Sequence, residues 1–79
     1  MADGAPGMTT NPKRGGSLSP REIDVIIAAS RGATNPQIAR QLRVSESTVK
    51  THLWFAGIKL GASGRAGVVG AAFRAGVIT

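Results

Sequence analysis

The chain has 79 residues, enough for one small domain. It has no cysteine and a single histidine, His52, which excludes a disulfide framework and any thiolate or multi-histidine metal site. Ten Lys and Arg against four Asp and Glu leave a net charge of +6, spread along the chain, which favours polyanions through phosphate contacts and counterion release.

Charge alone does not separate nucleic acid from an anionic membrane or an acidic protein. No apolar run approaches the ~20 residues of a membrane span, and residues 1–17 lack the apolar middle of a secretory signal. A cytoplasmic, nucleoid-associated protein with no membrane partner is expected. Acids, bases, nucleophiles and metal ligands are not clustered in the sequence, so neither catalysis nor a metal or cofactor is expected.

Residues 1–17 are rich in Gly, Pro and small polar side chains, too few of them apolar to offset the entropy of ordering. They read as a flexible arm whose Lys13-Arg14 pair could reach a minor groove. The folded domain is expected over 18–79.

Ser19-Pro20-Arg21-Glu22 starts the first helix: Ser19 and Glu22 have capping-box spacing, and Pro20 sits where no amide partner is lost. The helix should run to about Ser30 and stop at Gly32. Its apolar arc, Ile23, Val25, Ile26, Ile27 and Ala29, is wider than a surface helix needs. Either the arm or a loop covers the extra strip, or Ile23 and Ile27 meet a second protein.

Thr34 and Gln37 repeat the capping-box spacing and open a second, short helix with Ile38, Ala39 and Leu42 on its core stripe. Its N-terminus at Thr34 and Asn35 offers amides to a phosphate oxygen. Arg43-Val44-Ser45 then forms a turn, and Ser45 caps a longer helix with Glu46 in its first turn. Val49, Leu53, Ala56 and Leu60 share one face of that helix, while Ser47, Lys50, Thr51, Trp54 and Ile58 share the other. A short helix, a turn and a longer helix make a helix-turn-helix. The longer helix's outer face combines hydroxyls, an ammonium and an indole, the mixture needed to reach base edges in a major groove.

Gly61-Ala62-Ser63-Gly64 ends this helix, and Ser63 is expected to cap a fourth one over Arg65–Ala75, closed by Gly76. Val69, Phe73 and Val77 make one stripe, with Val68 and Ala72 beside it. Gly67, Gly70, Ala71 and Arg74 share another face. Two glycines on one side of a helix suggest a backbone that is closely approached, such as by a second copy of the same helix.

Leu18-Ser19-Pro20-Arg21-Glu22, Gly32, Asn35, Ile38-Ala39, Leu42, Val44-Ser45, Thr48-Val49-Lys50-Thr51-His52, Lys59-Leu60-Gly61 and Arg65 together resemble the LuxR-type helix-turn-helix family. The resemblance runs through nearly everything after residue 17, without gaps. It implies an all-α, compact four-helix DNA-binding domain, with the third helix in the major groove and the fourth pairing protomers. Carried over, Lys50, Thr51 and Trp54 face bases or phosphates, and Thr48 caps or contacts the backbone. Val49 stands near the base edges and the core boundary, and His52 is packed or phosphate-contacting. Glu22 matches a structural acidic position expected to pair inside the domain with an Arg or a helix terminus.

The segment Trp54-Phe55-Ala56-Gly57-Ile58 departs from the family pattern. Ala56 replaces a large aliphatic, a volume Phe55 is expected to fill, and Gly57 weakens the helix end. The family's sensory portion has no counterpart here, so a stand-alone regulator from a bacterium or phage is expected.

The expected function is sequence-specific binding of double-stranded DNA by a homodimer. Arg40, Arg43, Lys50 and Arg65 supply phosphate affinity, and Ser47, Lys50, Thr51 and Trp54 supply groove contacts. The alternative is a protein-interaction module that modulates a longer regulator or the transcription machinery through Phe55 and Ile58 or through Ile23 and Ile27.

Overall fold

The computed structural model describes residues 16–79. The arm expected over 1–17, including Lys13 and Arg14, lies outside the described residues but for Gly16 and Ser17. The described residues hold four helices and no strand: α1 (Pro20–Ser30), α2 (Asn35–Leu42), α3 (Glu46–Leu60) and α4 (Arg65–Arg74).

The first three helices start as their side chains dictate. The Ser19 hydroxyl accepts the Glu22 amide at 3.1 Å, and Glu22 Oε1 accepts the Ser19 amide at 2.9 Å. Thr34 and Gln37 make the same reciprocal pair at 3.3 and 2.8 Å. Ser45 Oγ accepts the Thr48 amide at 3.0 Å. Each device satisfies donors that the first helical turn leaves without partners.

The fourth start corrects the expectation. Gly64, not Ser63, is the N-cap of α4, and no side chain bonds to that turn. Backbone geometry explains the shift: Gly64 has φ +75°, a value that strains a residue bearing a Cβ. Ser63 therefore falls one residue too early to cap.

Two apolar clusters form the interior. The first joins Val25 and Ala29 of α1, Ile38 and Ala39 of α2 and Val49 of α3, with Leu42, Val44 and Leu53 packed on it. Val44, from the turn, fills the angle between α2 and α3. The second joins Ile26 of α1, Ala56 of α3, Val68 and Ala72 of α4 and Ile78, with Leu18, Ile27 and Leu60 against it. Val25, Ile26, Ile38 and Val49 are fully buried, each side chain contributing about 1.5–3 kcal/mol through burial, so Val49 lies inside the core and not near base edges. The stripe on α3 thus divides between the clusters, Val49 and Leu53 in one, Ala56 and Leu60 in the other. Every pair of helices packs together except α2 with α4.

Three residues pack in ways the sequence does not announce. Phe73 is 48% exposed, and the interior face of α4 is instead Val68, Ala71 and Ala72. Phe55 is half-buried but belongs to neither cluster, so it does not fill the space beside Ala56. Gly57 is buried and admits close approach: a Cβ there would stand 2.7 Å from the Ala62 carbonyl oxygen and 3.3 Å from Val68 Cγ2. The Ala62 amide donates to the Gly57 carbonyl at 2.9 Å as the chain folds back after α3. The missing side chain at 57 is what lets α4 return against α3.

Glu22 is 4% exposed and is the buried charge of the domain's described part. Lys59 Nζ donates to both its carboxylate oxygens, at 2.8 and 3.0 Å. The internal partner is thus a lysine from the end of α3, together with the α1 N-terminus through Ser19. This pair ties α1 to α3 between the two clusters' helices.

Candidate nucleic-acid interface

The core-facing stripe of α3 leaves its other side to solvent. Ser47, Lys50, Thr51 and Trp54 are all exposed, and Thr48 and Ile58 are half-buried at the edges. Lys50 makes no ion pair among the described residues, and neither do Arg40 and Arg43. Three cations without carboxylate partners therefore stand on the helix-turn-helix itself.

The hydroxyls on this face are oriented by the helix. Thr51 Oγ1 donates to the Ser47 carbonyl at 3.0 Å, so its lone pairs and methyl face outward. Ser45 Oγ and Thr48 Oγ1 lie 3.0 Å apart within the cap, with the Thr48 amide donating to Ser45. Thr48 thus serves first as part of the N-cap of α3.

Trp54 is 64% exposed, an unusual position for the largest side chain in the protein. Its ring lies 5.6 Å from that of Phe55, centroid to centroid, at 47°. A groove of about 430 Å³ runs beside it, between α3 and the start of α4. Lys50 and Arg65 stand on its walls, with Trp54, Gly57, Ile58 and Val68 forming an apolar stretch between. The larger hollow between α1 and α2, about 690 Å³, mixes Asp24 with Arg31 and Arg40 and has no such single-sign lining.

At the N-terminus of α2 the capping box already uses the Thr34 and Gln37 amides, and Pro36 has none. The Asn35 amide is what remains of the expected phosphate cradle. Arg65 reaches across from α4: its Nη1 donates to the Ala33 carbonyl at 3.0 Å and its Nη2 to Asn35 Oδ1. Arg65 therefore anchors the α1–α2 loop to α4, a structural task that the sequence reading, which placed it at phosphates, missed. Its side chain is still exposed beside Asn35.

Arg43 is the one non-glycine residue with positive φ among those described, at φ 59°, ψ 46°. It ends α2 in the left-handed conformation that glycine adopts without cost. An exposed guanidinium is thus held in the turn of the helix-turn-helix at some conformational expense.

On α4, Gly67 and Gly70 are half-buried and Arg74 is exposed. Ala71, grouped with them as a contact for a second copy, is instead buried within the monomer at 8% exposure. Helical spacing explains this, since Ala71 adjoins Val68 and Ala72 on the inward side. Arg74 Nη1 lies 3.3 Å from where a Cβ on Gly70 would stand, so Arg74 folds back over that glycine.

A capped short helix, a tight turn filled by an apolar residue, and a core-anchored helix with a cationic outer face define a helix-turn-helix DNA-binding domain. The pattern of bacterial regulatory proteins of the luxR family matches residues 16–72, and the chain belongs to that family. An HTH-type transcriptional regulator of Mycobacterium bovis is 45% identical over 71 residues, 89% of this chain and 8% of its own length. The quorum sensing-dependent regulator VjbR of Brucella ovis is 41% identical over 61 residues, 77% of this chain and 24% of its own. The crystal structure of the response regulator ChrA, from a heme-sensing two-component system, superposes with a TM-score of 0.76 at 40% identity. That match covers 80% of this chain and 31% of ChrA. The chain therefore spans only a small part of the regulators it matches.

Proposed function

We propose that this chain binds double-stranded DNA sequence-specifically in the control of bacterial transcription, with α3 lying in the major groove. The observation that carries the reading is the exposed face of α3, where Lys50 has no carboxylate partner among the described residues and stands beside Ser47, Thr51 and Trp54, while the opposite side is locked in the core. Lys50, Arg40 and Arg43 meet phosphates or base edges, joined by the Asn35 amide, Thr34 and Arg65 at the α2 N-terminus. Ser47, Thr48, Thr51 and Trp54 complete the contact surface. The protein works in the cytoplasm on nucleoid DNA, as a binding protein and not an enzyme. Among the described residues no helix is long and apolar enough to cross a membrane.

A single domain of this size touches few base pairs, and each mismatch is worth only ~1–3 kcal/mol. Pairing of two chains through α4 doubles the site. Gly67, Gly70 and Arg74 offer the surface, with Phe73 exposed beside them and Ala71 behind them. Gly70→Leu displaces Arg74 and should abolish concentration-dependent dimerisation; an unchanged sedimentation profile would remove this interface.

The direct test of DNA binding is a salt titration with mixed-sequence duplex. Affinity should fall steeply from low to physiological salt, and Lys50→Ala should flatten the log–log slope by about one. A flat response in the parent chain contradicts the reading.

The second reading is docking of another protein on the Trp54, Phe55 and Ile58 strip, supported by the exposure of Trp54 and the apolar stretch of the groove. The strip on α1 supports it less, because Ile27 packs against the second cluster and Ile23 is half-buried. Lys50→Ala separates the readings, weakening a DNA complex while leaving an apolar protein contact largely intact.

A further inference from the structure

The outer face of α3 is specific enough in its chemistry to name bases. We infer that Trp54 reads thymine through its 5-methyl group, and that each half-site couples this thymine to a guanine held by Lys50. The inference rests on the DNA-binding reading above and specifies what that site selects.

α3 contains no Arg, Asn or Gln, so neither the two-pronged arginine contact to guanine nor the two-pronged amide contact to adenine can come from this helix. Its one outward charge beyond the first turn is Lys50, which only donates hydrogen bonds. In the major groove an ammonium matches the paired acceptors of guanine, O6 and N7. Thr51 has its proton committed to the Ser47 carbonyl, so it can accept from a base amino group or lay its methyl on one, but cannot donate.

Trp54 then dominates what remains. Its exposed surface is an apolar plate with a single donor, Nε1–H. Phe55 stands tilted against it, limiting the positions that the ring can take. Gly57 and Ile58 continue the apolar surface along the groove. The thymine 5-methyl is the apolar group of the major-groove code, so an apolar plate there discriminates for thymine. Lys50 and Trp54 are one helical turn apart, about 6 Å. At about 3.4 Å per base step, the guanine and the thymine should lie within about two steps of each other.

The test selects duplexes from a random pool with the 79-residue chain, then replaces each thymine of the enriched motif by deoxyuridine, which removes the methyl alone. The expected motif holds guanine and thymine within about two steps. Deoxyuridine at that thymine should weaken binding about fourfold, the value of one buried methyl group, and should have no effect at thymines elsewhere. Trp54→Ala, whose site is exposed and whose fold is checked by circular dichroism, should keep the guanine, lose the thymine preference and bind the deoxyuridine duplex as well as the parent duplex.

A motif whose every thymine tolerates deoxyuridine overturns the inference while leaving sequence-specific binding intact. So does a Trp54→Ala chain that selects the same motif. If no motif is enriched at all, the broader reading of sequence-specific binding falls, and this inference with it.

Discussion

The front of the molecule, α2 with the first half of α3, and the back, the end of α3 with α4, are held together by different means. In front, helix starts are set by side chains on their own turns: Thr34, Gln37 and Ser45 each bond within three residues. At the back, the backbone does this work through glycines, with Gly61 and Gly64 at positive φ and Gly57 admitting the Ala62 carbonyl. The front presents unpaired cations on short, locally specified elements. The back supplies a packed support whose cations are tied to the domain itself, Lys59 on Glu22, Arg65 on the Ala33 carbonyl and Arg74 folded over Gly70. The binding face is thus local in its origin, and its rigidity comes from distant contacts.

That difference can be broken most severely at Glu22. Glu22→Ala leaves the Lys59 ammonium without its partner in a half-buried position, and removing one member of such a pair costs about 3–5 kcal/mol. For a domain whose whole stability is of order 5 kcal/mol, chemical denaturation should show it largely unfolded. A midpoint within experimental scatter of the parent's would mean that the pair carries no weight.

Gly57→Ala attacks the back alone. The added methyl collides with backbone, which cannot rotate away as a side chain can, so a loss of about 1–3 kcal/mol is expected. Hydrogen exchange should locate the loosening in α4 and the 61–64 connection, with α2 still protected. Uniform loosening would show that the two halves are a single cooperative unit.

Arg43→Gly gives the smallest change in stability and sharpens the comparison most. Glycine relaxes the left-handed backbone, so denaturation should show a change between nil and a gain of about 1 kcal/mol. DNA affinity should fall all the same, because the guanidinium proposed to meet a phosphate is removed. Loss of stability together with unchanged affinity would make Arg43 a structural residue.

The two halves also differed in how far they could be read from sequence. Ser19/Glu22, Thr34/Gln37 and Ser45 announced three helix starts because a cap is a relation between residues three apart. The split of α3 into an inward Val49/Ala56 side and an outward Lys50/Thr51/Trp54 side followed from helical period alone. Ser63 misled, since its proximity to α4 gives no hint that Gly64 takes a positive φ. Ala71 was grouped with an outward face, and the exposure of Phe73 was not foreseen, because a helix of small residues has little amphipathic contrast and its orientation is settled by neighbours. The tasks of Lys59 and Arg65 were hidden by distance along the chain, since their partners lie 37 and 30 residues away. For Arg65 the unusual pairing of an exposed cation with a loop carbonyl could not be foreseen from charge.

The outward side of α3 is the surface proposed to touch DNA. Amide and indole chemical shifts of the chain, titrated with duplex DNA, test this directly. The largest changes should fall on residues 47–54 and the Trp54 indole, with a lesser set at Thr34 and Asn35, while Val25, Ile26 and Ala72 stay nearly unmoved. Changes centred on Phe73 and Arg74, or none along α3 at saturating DNA, would contradict it.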